Sequence, residues 1–114
     1  MNKATIGAGD VSIKLDGEEC VLRPSLGAAR AASRLNGGIM AAVQAIGQFD
    51  FDMVVQVIAL GLDRKPSEIE DAVYNTSVAE LAPFAITFLT NLANGGRPVD
   101  GGSGKGNPQK KKGD

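Results

Sequence analysis

Apolar and polar residues alternate along Val11-Ser-Ile-Lys-Leu15, and after Asp16-Gly17 the stretch Glu18-Glu-Cys-Val-Leu22 folds back onto it. Asp-Gly suits a two-residue type I′ turn, because both central residues of that turn take positive φ. With Asp16 and Gly17 as the loop, Leu15 faces Glu18, Ile13 faces Cys20 and Val11 faces Leu22. That register gathers Val11, Ile13, Leu15, Cys20 and Leu22 on one face, and sets Lys14 opposite Glu19 on the other as an opposite-charge cross-strand pair. The pattern predicts an antiparallel hairpin over residues 10–23.

Beyond Pro24 the period changes to that of helices. Ser25 is positioned to cap a helix over 26–35, with Ala28, Ala31, Ala32 and Leu35 on one stripe and Asn36-Gly37-Gly38 as its stop. A second short helix is expected over 39–47. Asp50 then caps a third over 51–62, where Met53, Val54, Val57 and Ile58 keep the helical period. Its β-branched run also suits a strand, but the cap, the length and the Met, Ala and Leu content favour helix. Lys65-Pro66-Ser67-Glu68 opens a fourth helix over 67–74, with acidic residues where the helix dipole favours them. Ser77-Val-Ala-Glu80 matches a capping box and opens the last helix, 78–93, stopped by Asn94-Gly95. Pro83 lacks the N–H that would bond the Ala79 carbonyl, so a kink there or a restart at Leu81 is expected.

The fold class is therefore α+β, mostly α. A two-stranded antiparallel hairpin is followed by a bundle of four to five short helices in one domain, residues 9–94. Residues 1–8 are expected to be flexible and 95–114 to form a disordered tail. The last twenty residues hold seven of the 15 glycines and a single apolar side chain, Val99, and carry a charge of +3. The remaining 94 residues carry −4.

Composition removes much chemistry. With no histidine, a His general base, a His-ligated metal and a Ser-His-Asp triad are all excluded. One cysteine, Cys20, makes neither an intramolecular disulfide nor a cysteine zinc site. The first residues lack the apolar stretch of a secretory signal, and Val54 to Leu62 is too short to span a bilayer. A reducing, cytoplasmic compartment is expected.

Candidate sites each have a plainer alternative. Glu68, Glu70, Asp71, Asp50 and Asp52 suit metal binding or acid catalysis less well than capping and solvated faces. Gly7-Ala-Gly9 and Gly101-Gly-Ser-Gly-Lys105-Gly106 lack the strand, helix and spacing of phosphate loops. Arg23, Arg30 and Arg34 form a basic patch or simply a solvated face. Lys110, Lys111 and Lys112 supply only nonspecific, salt-sensitive phosphate attraction. Phe84, Phe88 and Leu92, with Leu81 and Leu89, lie at helical spacing; core packing explains them first, and a partner-binding groove for an amphipathic helix second. No catalytic residue, cofactor or metal site is expected, and no enzyme.

The order of pieces carries more than any single motif. A short hairpin, Leu15-Asp-Gly-Glu18, Leu22-Arg-Pro-Ser-Leu-Gly-Ala28 and Leu35-Asn-Gly37 resemble the small tail assembly chaperones of long-tailed (siphovirus) phages, in the branch found in gene transfer agents. Phe51 to Leu62 and Glu68-Ile-Glu-Asp-Ala-Val73 are similar to the middle helices of that family, and Ala85 to Leu92 to its last. The resemblance covers residues 9–94; Pro83 and Arg30 depart from it.

What the resemblance implies is a non-enzymatic protein of the host cytoplasm. It would bind the tape measure protein, help recruit tail tube subunits, and be absent from the mature virion. Self-association stays open; a membrane and specific nucleic acid are not expected as partners. In many such phages a programmed −1 frameshift near the end of the short protein yields a longer fusion, and Lys110 to Lys112 suit a run of adenines at such a site. A structural tail tube or head–tail connector component is the first alternative, although a tube subunit needs more strands than the two read here. A small nucleic-acid-binding regulator is the second.

Overall fold

The computed structural model describes residues 7–99. The chain runs β1 (Val11–Leu15), β2 (Glu18–Leu22), α1 (Leu26–Ser33), α2 (Gly38–Gly47), α3 (Phe51–Leu62), α4 (Pro66–Thr76) and α5 (Val78–Ala93). This is the hairpin and helix succession that the periodicity predicts. The two strands pair antiparallel in the expected register, Val11 with Leu22, Ile13 with Cys20 and Leu15 with Glu18. Asp16 and Gly17 take φ of 54° and 86°, as a type I′ turn demands. Lys14 and Glu19 do face each other. Among the described residues, however, the sole ion pair joins Arg23 to Asp10, at 3.1 Å.

Val11, Ile13, Leu15 and Leu22 are buried, while Cys20, expected with them, is only half-buried. The inner face of the hairpin lies on α3, α4 and α5. α3 is the centre of the bundle, touching the other four helices and β2, and it buries Val54, Val55, Val57, Ile58 and Ala59. Its β-branched run packs on several sides at once, which offsets its weaker helix propensity.

Helix ends follow local chemistry. Ser25 Oγ accepts from the Ala28 amide (3.0 Å) and Asp50 Oδ1 from the Met53 amide (3.1 Å). Pro66 occupies the first position of α4, where its missing N–H costs nothing. Ser77 Oγ accepts from the Glu80 amide (3.1 Å), but only half of the expected capping box forms. The Ser77 N–H is already donated to the Val73 carbonyl, closing α4, so the Glu80 carboxylate has no donor to reach back for. α5 is continuous through Pro83 rather than restarting at Leu81. Ala79 and Pro83 are exposed, so water reaches the carbonyl that proline leaves unpaired.

Two expectations at the chain ends need correction. Gly7 and Ala8 belong to a turn in which the Gly7 amide donates to Asp10 Oδ2 (2.7 Å) and the Asp10 amide to the Gly7 carbonyl (3.2 Å). At the other end, Gly95 takes φ 74° and the Gly96 amide donates to the Asn91 carbonyl (2.8 Å). Asn94 Nδ2 then donates to the carbonyls of Arg97 and Pro98. Residues 95–99 therefore extend the folded body instead of beginning the tail. Residues 1–6 and 100–114, with Lys110, Lys111 and Lys112 among them, lie outside the described residues.

Candidate protein-binding surface

Phe84, Phe88 and Leu92 recur every four residues, and four residues advance 400° around a 3.6-residue helix. The row therefore drifts by about 40° at each step. Phe84 sits at the rim of the apolar stripe of α5 and stays 40% exposed, whereas Phe88 is fully buried and Leu92 is 5% exposed. The three do not form one groove. Phe88 and Leu92 are core residues, packed with Leu81, Ala85 and Leu89, and only Phe84 meets the outside.

Phe84 stands as an apolar ridge between two shallow hollows. One, of about 570 Å³, lies between β1 and the second half of α5 and is lined by Val11, Ser12, Thr87, Asn91 and Val99 besides Phe84. The other, of about 530 Å³, lies on the outer face of the hairpin, with Ser12, Lys14, Glu19, Val21 and Glu80 around the same ring. Val99 is itself half-exposed, which gives the first hollow an apolar rim on both sides.

Asn91 escaped the sequence reading. It is 5% exposed, the one buried polar residue among those described, and its Nδ2 donates to the Gly9 carbonyl at 3.0 Å. With the Gly96 bond to its own carbonyl, Asn91 ties the entry to β1 and the exit from α5 to one point, about two turns past Phe84 along the helix. A Cβ on Gly9 would lie 2.0 Å from the Gly96 oxygen, so only glycine lets the two ends meet. The signal was an amide side chain between Leu89 and Leu92 on a buried helical stripe, where an unpartnered Asn would be costly.

The other candidates are not gathered into a site. Arg23 binds Asp10, while Arg30 stands exposed on α1 and Arg34 exposed at its C-cap. Glu68, Glu70 and Asp71 are exposed on α4, and Asp50 is a helix cap. Among the described residues no three acidic or cysteine side chains cluster as metal ligands do, and no helix is long and apolar enough to cross a membrane. Compared with known proteins, the chain matches no family model, no curated protein and no solved structure.

Proposed function

We propose that this chain is a non-enzymatic tail assembly chaperone of the long-tailed phage type. It binds the helical tape measure protein, helps recruit tail tube subunits, works in the host cytoplasm and is left out of the mature virion. The observation that carries the reading is Phe84, an aromatic ridge left on the surface with a hollow on either side. An amphipathic helix lays apolar side chains into such hollows at i and i+4, about 6 Å apart along its axis, and straddles the ridge. The order of elements, similar to that of the chaperones named above, supports the same reading. Adenine-rich codons at Lys110 to Lys112 would add a frameshift product; mixed AAG codons, or no open −1 frame, remove that part.

Co-expression with the neighbouring long helical gene product tests the role. The tagged chain should retain that product, Phe84→Asp should lose it, and Tyr74→Asp should keep it, because Tyr74 is 76% exposed on another helix. No association with the intact chain overturns the proposal. Recovery of the chain from purified particles by mass spectrometry would instead make it a structural tail component.

A further inference from the structure

The Asp16-Gly17 turn fixes more than the register. In a two-residue hairpin the pair flanking the turn, Leu15 and Glu18, exchanges hydrogen bonds, and the bonded pairs then alternate. Ile13–Cys20 and Val11–Leu22 are bonded pairs, so Glu19, Val21 and Arg23 turn their backbone groups away from β1. The structure bears this parity out at two points. The Arg23 amide donates outward to the Gly61 carbonyl of α3 (3.0 Å), and the Asp16 amide outward to Thr76 Oγ1 (2.6 Å). Past Arg23 the cover ends. The N–H and C=O of Glu19 and Val21 take no partner among the described residues.

Natural sheets blunt an open edge with proline, lysine, a bulge or a covering element. β2 has none of the first three; its own charges, Glu18 and Glu19, sit at the turn end and leave Cys20, Val21 and Leu22 uncharged, and its pairing is unbroken. Instead two hollows lie in line along this edge, of about 580 and 410 Å³, and both are lined by Val21, Leu62 and Arg64. The first continues to Ser25 and Gly27 at the start of α1. The second continues to Glu18 beside the turn and Glu68 on α4. Charge is graded along the channel. Asp16, Glu18 and Glu68 line one hollow, Arg23 and Asp63 the other, and Arg64 both, so one end is the more acidic; Glu18, Glu68 and Arg64 make no ion pair among the described residues.

We propose that the free edge of β2 is a docking site for an extended segment of a partner polypeptide, which adds as a third strand through the backbone of Glu19 and Val21. Its alternate apolar side chains pack on Val21 and Leu62. A basic side chain passes Glu18 and Glu68, and an acidic one passes Arg64. Main-chain bonding supplies the attachment, and the charge gradient sets the direction in which the segment lies. The edge borders the outer-face hollow beside Phe84, since Glu19 and Val21 line that hollow too, but it uses their backbone groups and not the Phe84 ring, and the proposal does not rest on the reading given for Phe84.

The test uses the full chain and two seven-residue peptides of alternating Val and Thr. One carries Lys first and Asp last, and the other is made in the reverse order. By ¹⁵N NMR, one of the two should slow exchange of the Glu19 and Val21 amides by roughly tenfold or more, leaving Ser12 and Lys14 unchanged. Val21→Pro removes an outward N–H and no ladder bond, so the hairpin persists and the protection is lost. The paired change Arg64→Glu with Glu68→Lys, on exposed side chains, should reverse which peptide is preferred, by roughly tenfold. Neither peptide acting at up to about 1 mM, or both variants behaving as the parent, overturns the proposal. So does protection of the edge amides that rises with protein concentration alone and vanishes in Val21→Pro, which would identify a second copy as the occupant.

Discussion

Adding one methyl group to α3 at Gly61 tests how closely the hairpin is seated. Within a helix, Gly→Ala ordinarily stabilises by about 0.8–1 kcal/mol, through reduced backbone entropy in the unfolded chain. At Gly61 that gain meets an obstacle. A Cβ there would lie 2.7 Å from Leu22 Cβ, 2.9 Å from Leu22 Cδ2 and 3.1 Å from Leu22 Cα. Leu22 is fully buried, and two of the three atoms are backbone or fixed to it, so no rotamer change relieves the clash. Overpacking of this kind costs about 1–3 kcal/mol. Moving β2 away also strains the bond from the Arg23 amide to the Gly61 carbonyl, which contributes about 1 kcal/mol. The penalties exceed the gain, and Gly61→Ala should lose about 1–3 kcal/mol net.

For a body of this size that loss lowers Tm by about 4–24 °C, at about 4–8 °C per kcal/mol. Gly47 is the internal control. It lies in α2 at an ordinary φ with nothing within 4 Å of an added Cβ, so Gly47→Ala should stabilise by about 0.5–1 kcal/mol. Thermal and urea unfolding followed by circular dichroism measure both. If Gly61→Ala melts at or above the parent, as Gly47→Ala should, then β2 does not bear on α3 at that point and the packing argument fails.

Other substitutions probe the remaining joints. Asn91→Ala leaves the Gly9 carbonyl without its donor in a buried place and should cost about 2–3 kcal/mol, read by urea unfolding. Ser77 holds φ 106° while capping α5, so Ser77→Ala should lose about 1 kcal/mol with the cap. Ser77→Gly, which relieves the backbone, should be near neutral; equal losses for the two would show that the strain is absent. Phe49 ends α2 at φ 62° and is 58% exposed, so Phe49→Gly should raise Tm by a few degrees, from about 0.5–1 kcal/mol of released strain. A fall in Tm would mean that the half-covered ring packs better than its exposure implies.

Features coded within a few neighbouring residues were legible from the chain alone. Asp16-Gly17 fixed the turn and with it the register, because positive φ at two successive positions is a local requirement. Ser25, Asp50 and Pro66 marked helix starts through bonds that span three residues, or through an N–H that was never needed. Gly95 marked the stop of α5 in the same local way. The ends of α2 and α3 were harder to read, since Phe49 and Asp63 take the left-handed conformation that glycine usually fills. There the amides of Asp50 and Arg64 reach back to Ala45 and Ala59, and these bonds hold the strained residues in place.

Tertiary packing decided the rest. Periodicity placed Phe84, Phe88 and Leu92 in one row, but which of them faces outward depends on where β1 lies against α5. The clasp of Gly9 by Asn91 joins residues 82 apart, and the seat of the hairpin turn on Thr76 joins residues 60 apart. A hydrogen bond between such distant groups exists only once the elements between them have packed. No local preference encodes it, and the same holds for the surfaces that the packing leaves open at Phe84 and along β2.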